Sequence, residues 1–409
     1  MSHKNYDIVI IGGGLVGASM AAALSSLELK IALIDAFQFN TQETLPAYDD
    51  RSIALSYGSS LIYQGIGIWE AIKDSTAPIQ HIHVSDKGHL GATRLHAKNE
   101  KVPALGYVIE SRILGRALYQ HLQTSSVDLI APAKLVQFTQ YETHNTIEID
   151  FDGKQQELQC QLLIASDGAQ SSVRKQLAIP CQQSDYQQTA IIANVSTDQP
   201  HHNWAYERFT DNGPLALLPL PTQNNQQRLS LVWTHKTENV AATIELDDEA
   251  FLNKLQHRFG YRLGRFIKVG KRSAYPLSLI KSEQDIAQRT VLIGNASHQL
   301  HPVAGQGLNL GLRDVAVLAD LLANNTADCG DAALLKTYQQ QRLPDYNRVI
   351  TYTNSLVHIF SNDFSPLAHL RAAGLLLVDR IPKLRQVLAQ QSMGLKYRQS
   401  RLARGLSLS

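Results

Sequence analysis

Short apolar runs that end in glycine or an acid mark the first part of the chain. Residues 7–11 are apolar after Asp7 and run into glycines, and residues 30–35 form a second run that ends at Asp35. Runs of this kind are typical of strands that are buried on both faces. The stretch between them, residues 14–27, is rich in small residues and predicts a helix. The right-handed crossover of such a β-α-β unit makes its two strands parallel.

Two further patterns divide the middle of the chain. Residues 162–166 and 290–294 are again short apolar runs and predict more parallel strands. Between them, residues 186–235 alternate apolar and polar positions, with turn residues at intervals. This alternation predicts an antiparallel sheet in a separate lobe. One domain is therefore interrupted by another.

Helices are expected at two other places. Residues 111–122 have a helical pattern, with Ser111 as the expected N-cap. Helices fill most of the chain from Leu308 onward, including a long one around residues 332–360. We expect Pro344 to break or kink this helix, because proline has no N–H to donate.

Composition narrows the class of protein. The 409 residues are 44% hydrophobic and 18% charged, which suits a soluble globular enzyme with one or two cores. A formal net charge of +2 gives no reason to expect nucleic acid as a partner. The three cysteines form no CxxC pair, so reduced thiols in the cytoplasm are expected rather than a zinc site or disulfides. The sequence has neither a secretory signal pattern nor an apolar run of the roughly 18 residues that a transmembrane helix needs.

The glycines at residues 12–17 fit the pattern GxGxxG between a strand and a helix. Gly12 permits a tight turn, Gly14 lets the backbone approach a pyrophosphate, and Gly17 allows the helix to pack closely on the strand. Asp35 ends the next strand, where an acid can bind a ribose hydroxyl. With both strands and the acid present, the motif predicts dinucleotide binding, although it does not separate FAD from NAD.

Two later motifs extend this interpretation. Asp167-Gly168 follows a buried strand, and by spacing alone it fits an ordinary turn as well as a binding site. Residues 294–298 and 301–309 form a glycine-rich loop between a strand and a helix, whose N-terminus suits an anion or an electron-rich ring edge. We expect His298 and His301 to pack within this loop. A cofactor bound along its whole length would use this second site, whereas a plain NAD dehydrogenase would not.

The three motifs, in this order, resemble those of the single-component flavoprotein aromatic hydroxylases, the group typified by p-hydroxybenzoate hydroxylase. The resemblance covers residues 6–350. A narrower resemblance, to the ubiquinone-biosynthesis hydroxylases, rests on residues 50–55, on residues 207–219 and on residues 270–277. The chain departs from the general family at Asn295, where that family has an aspartate. Asparagine keeps its hydrogen-bonding groups but carries no charge, so the contact with the flavin is expected to be weaker.

The resemblance implies a fold, a domain division and a set of cofactor contacts. The fold is α/β, with a Rossmann-like FAD-binding domain on a parallel sheet, a substrate domain with a mostly antiparallel sheet, and C-terminal helices. The FAD-binding domain comprises residues 1–75, 100–183 and 275–345, the substrate domain residues 76–99 and 184–274, and the helical region residues 346–409. The residues implied to contact FAD are Gly12, Gly14, Gly17, Asp35, Arg51, Arg112, Asp167, Asn295, Gly305, Gly307, Leu308 and Asn309.

The implied reaction is the hydroxylation of a prenylated phenol. NADPH or NADH reduces FAD, O₂ reacts with the flavin, and the flavin hydroperoxide transfers one oxygen atom to the ring. The cofactor carries the chemistry, which agrees with a sequence that shows no nucleophile–base pair and no metal-ligand spacing. There is no second GxGxxG, so the nicotinamide would bind transiently.

Several alternatives share these motifs. They are a ring hydroxylase that acts at another position or on another aromatic substrate, an epoxidase, and a flavin-binding subunit of a biosynthetic complex without catalysis of its own. A flavin halogenase fits poorly, because the pattern WxWxIP is absent.

The C-terminal segment suggests a membrane surface. From Pro366 onward only Asp379 opposes eight basic residues, which are interleaved with leucines: Arg371, Arg380, Lys383, Arg385, Lys396, Arg398, Arg401 and Arg404. A basic amphipathic segment can lie at the interface of an anionic bilayer. We therefore expect a cytoplasmic enzyme with peripheral contact to the inner face of the membrane, or docking to other ubiquinone-biosynthesis proteins. The alternative is a helical tail that packs on the flavin domain with its basic face solvated.

Overall fold

The first sheet contains the parallel strands that the apolar runs predicted. The computed structural model describes residues 4–39, 48, 50–88, 91–211, 213–223, 226–300, 305–360, 374, 377–396 and 400–408. The eight strands of this sheet are β1 (Lys4–Ile11), β2 (Ile31–Ile34), β8 (Asp128–Ile130), β9 (Ala133–Gln140), β10 (Asn145–Phe151), β11 (Lys154–Ala165), β18 (Ile286–Ala287) and β19 (Thr290–Leu292). Their order is β18-β19-β11-β1-β2-β8, and β10 joins β9 to β11.

The core of this sheet is parallel, as expected. β1 pairs in parallel with β2 and with β11, and β11 pairs in parallel with β19. Because carboxyl ends of parallel strands meet at one edge of a sheet, the residues that follow β1, β2 and β11 lie side by side. These residues include Gly12, Asp35 and Asp167.

The second sheet has nine strands and is antiparallel except where β5 meets β13. Its strands are β5 (His81–Asp86), β6 (Ala92–His96), β12 (Cys181–Thr197), β13 (Trp204–Thr210), β14 (Gly213–Gln223), β15 (Gln226–Lys236), β16 (Phe266–Val269), β17 (Ser273–Ser282) and β20 (His298–Gln299). The order is β20-β17-β12-β15-β14-β13-β5-β6, and β16 pairs with β12. The expected antiparallel lobe is thus confirmed.

A small third sheet and the helices complete the described part of the chain. The sheet has the order β3 (Ser52–Ser56), β7 (Gly106–Glu110) and β4 (Ala77–Ile79). The helices are α1 (Leu15–Leu24), α2 (Tyr57–Ile66), α3 (Trp69–Ile72), α4 (Ala97–Glu100), α5 (Ser111–Gln123), α6 (Ser172–Gln176), α7 (Ala241–Ile244), α8 (Asp248–Phe259), α9 (Gln306–Ala323), α10 (Ala332–Phe360) and α11 (Pro382–Ser392). Among the described residues, no helix is long and apolar enough to cross a membrane.

Separate apolar cores support the two large sheets. The largest lies on the first sheet and includes Ile10 of β1, Met20 of α1 and Leu312 of α9. A second core packs α8 against one face of the second sheet, around Trp233 and Phe251. That face of the second sheet is therefore closed, and its other face points toward the first sheet's domain.

Two local expectations differ from the structure. The N-cap of α5 is Glu110 rather than Ser111, because β7 runs directly into the helix and the Ser111 N–H donates to the Arg51 carbonyl at 2.8 Å. The helix is not broken at Pro344, because α10 continues through this residue, and a kink there stays a prediction. Buried ion pairs of Arg342 and Asp345 hold both sides of the proline in place.

Long strands cross the expected domain boundaries. The boundary after residue 183 falls within β12, and the boundary after residue 274 falls within β17. Each of these strands begins or ends close to the first sheet and continues into the second. The division into domains therefore stays a prediction.

Candidate functional site

The glycine turn after β1 is built as the motif requires. Gly12 has a φ of +101°, and a Cβ atom there would lie 2.6 Å from the Ser166 carbonyl oxygen. A Cβ atom on Gly17 would overlap the Gly12 carbonyl. A Cβ atom on Gly14 would meet no protein atom within 4 Å. Close packing therefore requires glycine at positions 12 and 17 of the motif. Gly14, by contrast, borders open space at the N-terminus of α1.

Asp35 faces this turn from the end of β2. One of its carboxylate oxygens accepts the Gly13 N–H at 2.5 Å, and the other accepts the Phe37 N–H at 2.7 Å. An ionised carboxylate can accept about four hydrogen bonds, so both oxygens keep capacity for a ribose hydroxyl.

Asp167 lies beside the glycine turn, and only one of its two carboxylate oxygens accepts hydrogen bonds from described residues. Its Oδ2 accepts hydrogen bonds from the Ser172 N–H and hydroxyl, at 2.7 and 2.8 Å, and caps the start of α6. Its Oδ1 is buried and has no partner in the part of the chain that the structure describes. Because buried acceptors are almost always satisfied, this oxygen marks a position where a bound molecule can donate a hydrogen bond.

The late glycine loop meets the same region from the other side. A Cβ atom on Gly294 would lie 3.1 Å from Val16 at the start of α1, so the two motifs are in contact. Asn295 is exposed in the turn that follows. Gly305 has a φ of +61° and begins α9, and a Cβ atom on Gly307 would meet no protein atom within 4 Å. His301 lies outside the described residues.

Asn309 fastens the first turn of α9 to the third sheet. Its side-chain oxygen accepts the Ser56 N–H at 2.8 Å, and its amide donates to the carbonyls of Ala54 and Gly305 at 3.0 and 2.6 Å. Leu308 is partly buried and packs against the largest core. The side chain of Asn309 therefore sets the position of the loop rather than pointing freely into the site.

A fully buried carboxylate supports the loop from behind. Asp314 accepts hydrogen bonds from the Gly294 N–H at 2.9 Å, Arg342 at 2.8 Å and the Tyr346 hydroxyl at 2.7 Å, and its Oδ2 lies 2.9 Å from His298 Nε2. Burial by itself raises the pKa of Asp314, but His298, Arg342 and these hydrogen bonds outweigh it and hold the pKa at about 2. The expectation that His298 packs within the loop agrees with this contact.

The two arginines implied to lie near the cofactor sit on neighbouring elements. Arg51 is exposed just before β3, with its guanidinium 4.7 Å from the centre of the Tyr275 ring. Arg112, in the first turn of α5, forms ion pairs with Asp50 at 3.1 Å and Glu110 at 3.2 Å. Their contact with a cofactor stays a prediction.

The residues at this edge of the first sheet fit a dinucleotide. Open space lies in front of Gly14 and Gly307, two helices begin there, and Asp167 offers an unused buried acceptor. The helix N-termini and bare N–H groups suit the pyrophosphate, and Asp35 suits a ribose. The glycines, Asp35 and Asp167 are thus brought together, and Gly294 at the start of the late loop adjoins Val16 beside them.

Three supporting groups were not found from the sequence. They are Ser166, whose hydroxyl donates to the Gly12 carbonyl at 2.7 Å, the buried pair of Glu110 and Arg228 at 2.9 Å, and Asp314. For Asp314 a signal was present, since an acid stands next to Arg313 among the apolar residues in the middle of α9. A charge at such a position needs a buried partner.

Comparisons with known proteins agree with this geometry. The model of the FAD binding domain family matches residues 5–353. The chain is 35% identical to the ubiquinone hydroxylase UbiL of Rhodospirillum rubrum, over all of this chain and 94% of that protein. It is 28% identical to the 3-demethoxyubiquinol 3-hydroxylase of Escherichia coli, over 97% of this chain and 100% of that one.

A solved structure shows the same fold. The p-nitrophenol 4-monooxygenase PnpA of Pseudomonas putida superposes with a TM-score of 0.76 at 15% identity, over 95% of this chain and 98% of that one. The match of the family model over most of the chain, together with the glycine turn, Asp35 and the late loop, settles the family. The chain belongs to the FAD binding domain family and is an FAD-dependent monooxygenase of the aromatic-hydroxylase type.

Proposed function

We propose that this enzyme hydroxylates the aromatic ring of a polyprenylated phenol in ubiquinone biosynthesis, with NADPH or NADH as the reductant. The similarity to ubiquinone hydroxylases over the whole chain supports the pathway. Residues 50–55, 207–219 and 270–277 resemble those of the hydroxylases that act on 2-octaprenyl-6-methoxyphenol. The net reaction consumes NAD(P)H, a proton, O₂ and the phenol, and yields NAD(P)⁺, water and the hydroxylated phenol.

One structural observation carries the substrate side of this proposal. In the second sheet, the cross-strand partners Glu207, Ala216, Val232, Ile192 and Ser273 form one row on the same face. All five are partly exposed, in contrast to the buried residues of the opposite face. We name these five residues the open row.

The open row faces the proposed flavin region. Asn194, on the same face of β12, donates to the carbonyls of Tyr48 and Asp50 at 2.7 and 2.9 Å. Arg51 follows directly and stacks on Tyr275 of the same face. The space in front of the open row therefore adjoins Arg51, just before β3, and its mostly apolar lining suits a prenylated ring.

FAD would be held by the twelve residues named from the sequence. Gly14 would receive the pyrophosphate at the start of α1, in the turn that Gly12 and Gly17 allow, and Asp35 would receive the ribose. Asn295 and residues 305–309 of the late loop would line the remainder of the cofactor. When bound, FAD supplies the redox and oxygen chemistry, and the chain binds, orients and excludes water.

We also propose peripheral contact with an anionic membrane through α11. Leu384 and Val387 of this helix, and Leu377 and Ile381 just before it, are exposed between 40% and 56%. Arg380 and Lys383 are exposed beside them. An apolar stripe with basic neighbours suits the headgroup region of a bilayer, where a polyprenylated substrate resides.

The reaction is tested by NADPH oxidation in the presence of short-chain prenylated phenols such as 2-geranyl-6-methoxyphenol. The expected result is oxidation that depends on the phenol and is matched by a hydroxylated product. A product hydroxylated at another ring position would identify another member of the pathway. Bound FAD without any phenol-dependent turnover would instead favour a non-catalytic flavoprotein subunit.

A further inference from the structure

One carboxyl group interrupts the apolar lining of the open row. Glu207 is the fourth residue of β13, and its register partners are Ala216 on β14 and Val84 on β5. The adjacent positions of the open row carry Ala216, Val232 and Ile192. A carboxyl group that is placed among such neighbours loses hydration and gains nothing from them.

This carboxyl group has no partner among the described residues. Neither a hydrogen bond nor an ion pair of its side chain occurs in that part of the chain. Burial raises the pKa of Glu207 to about 7. By contrast, the nearby buried Glu110 is held by Arg228 and Arg112. An unpaired, partly exposed carboxyl group on the uncovered face of a sheet is a candidate for contact with a ligand.

The charged groups around Glu207 are engaged elsewhere. Its strand neighbour Arg208 points to the opposite face, where it adjoins Arg262. On the same face, Asp86 of β5 lies one register pair further along, and Tyr275 of β17 lies near the far end, stacked under Arg51. Arg228, on β15 of the same sheet, pairs with Glu110, and Arg112 pairs with both Glu110 and Asp50.

We propose that Glu207 binds the phenolic hydroxyl of the substrate and accepts its proton as the ring is hydroxylated; this role rests on the proposed function. The phenol O–H bond breaks, an O–H bond to the Glu207 carboxylate forms, and the electron pair that remains on the phenolic oxygen enriches the ring. The proton returns to the oxygen of the product, so no further reactant is consumed. A carboxylate poised near neutral pH suits this exchange.

The test compares Glu207→Gln and Glu207→Asp with the wild-type holoenzyme, using 2-geranyl-6-methoxyphenol and NADPH between pH 5.5 and 9. In the wild type, kcat/KM for the prenylated phenol, measured from the hydroxylated product, should fall as the pH drops below about 7. The reason is that Glu207 becomes protonated. Glu207→Gln should keep its FAD, lose this dependence and lose about 100-fold in product formation near pH 7.5. Its activity should partly recover at high pH, where the phenol ionises by itself. Glu207→Asp should retain the pH dependence.

A second measurement separates this role from a structural one. A raised pKa means that the folded protein binds the proton more tightly than the unfolded chain, so the wild type loses stability as the pH rises toward 7. Glu207→Gln should therefore melt at a higher temperature than the wild type at pH 8 and at the same temperature near pH 4.5. Glu245→Gln, an exposed residue of the same lobe, is the matched control and should change neither measurement.

The outcomes are distinguishable. A Glu207→Gln enzyme that makes product at the wild-type rate, with the wild-type pH profile, would overturn the role of Glu207 and leave the proposed function intact. A wild-type holoenzyme that makes no product from any prenylated phenol would overturn the proposed function, and the role of Glu207 with it.

Discussion

Replacing Asp314 by asparagine tests how the late loop is held in place. The side chain is fully buried, and its two oxygens receive four polar groups: the Gly294 N–H, His298, Arg342 and the Tyr346 hydroxyl. An asparagine has the same shape, but only one of its two terminal atoms can accept hydrogen bonds. In either orientation, its NH₂ group faces at least one donor that cannot reverse, either the backbone N–H of Gly294 or the guanidinium of Arg342.

The magnitude follows from these contacts. Removing one member of a buried ion pair costs about 3–5 kcal/mol. Arg342 keeps its second partner Asp345 at 2.7 Å, which places the expected loss of unfolding free energy at the lower end, about 3 kcal/mol. Because the Gly294 turn leads directly to Asn295, we also expect FAD to bind about tenfold more weakly, which corresponds to about 1.4 kcal/mol.

Urea unfolding of the apoprotein and fluorescence titration with FAD measure the two effects. Asp320→Asn is the matched control, since Asp320 lies on the same helix, is partly exposed and accepts one hydrogen bond from the Arg401 backbone at 3.2 Å. Its expected loss is below 1 kcal/mol. If Asp314→Asn unfolds at the same urea concentration as the wild type and binds FAD equally well, the buried carboxylate does not support the loop.

Three further predictions concern the cofactor and the membrane. Gly14→Val should fold but contain no FAD, because the valine side chain would occupy the open space that the pyrophosphate needs. Circular dichroism checks the folding and flavin absorbance checks the cofactor, and full flavin content would contradict the prediction. Asn295→Asp should keep FAD, as flavin absorbance of the purified variant would show, since the exposed side chains are nearly isosteric and the family has an acid there. Val387→Glu should reduce flotation with anionic liposomes at low salt. The control Val136→Glu, at another exposed valine on β9, should not reduce it. Equal flotation of the two variants would mean that α11 does not contact the membrane.

Point substitutions are needed for the membrane test because the tail is also part of the fold. Leu402, Ala403 and Leu408 belong to the largest core, and Ala389 and Met393 pack in the core near β4 and β7. Removing the chain after Ser365 would therefore expose apolar residues and confuse loss of folding with loss of binding. In the structure one side of α11 packs on the enzyme and the other side is exposed and basic, and contact of the exposed side with a membrane stays a proposal.

The parts of the site that could be predicted from the sequence are local in the chain. The glycine turn, the strand before it and Asp35 all lie between residues 4 and 35, and each is dictated by backbone geometry and burial. The parallel sheet followed from short apolar runs. The groups that hold Asp314 are 16 to 32 residues away from it, on a loop and on α10. No periodicity of α9 specifies that these groups meet there.

The open row illustrates the same limit in the second sheet. Alternation along each strand predicts which residues share a face, but the row also depends on the strand order β17-β12-β15-β14-β13, which is not the order along the chain. The register that places Glu207 opposite Ala216 depends on the turn after Thr210. The aromatic core around Trp233 determines which face of the sheet packs against α8. Sequence pattern therefore predicted a sheet, and only tertiary packing shows which side of it remains open.

Asp314 and Glu207 show how burial and function can be separated for two acids in the same chain. Burial raises the pKa of both groups, yet Asp314 has four polar partners and a pKa of about 2, whereas Glu207 has none among the described residues and a pKa of about 7. Asp314 therefore stabilises the fold at every pH above about 4, and it loses this contribution as the pH falls toward 2. Glu207 destabilises the fold as the pH rises from about 4.5 to 7. A residue that only weakens the folded state is explained by what it binds. In our proposal, that partner lies in the space in front of the open row, beside Glu207.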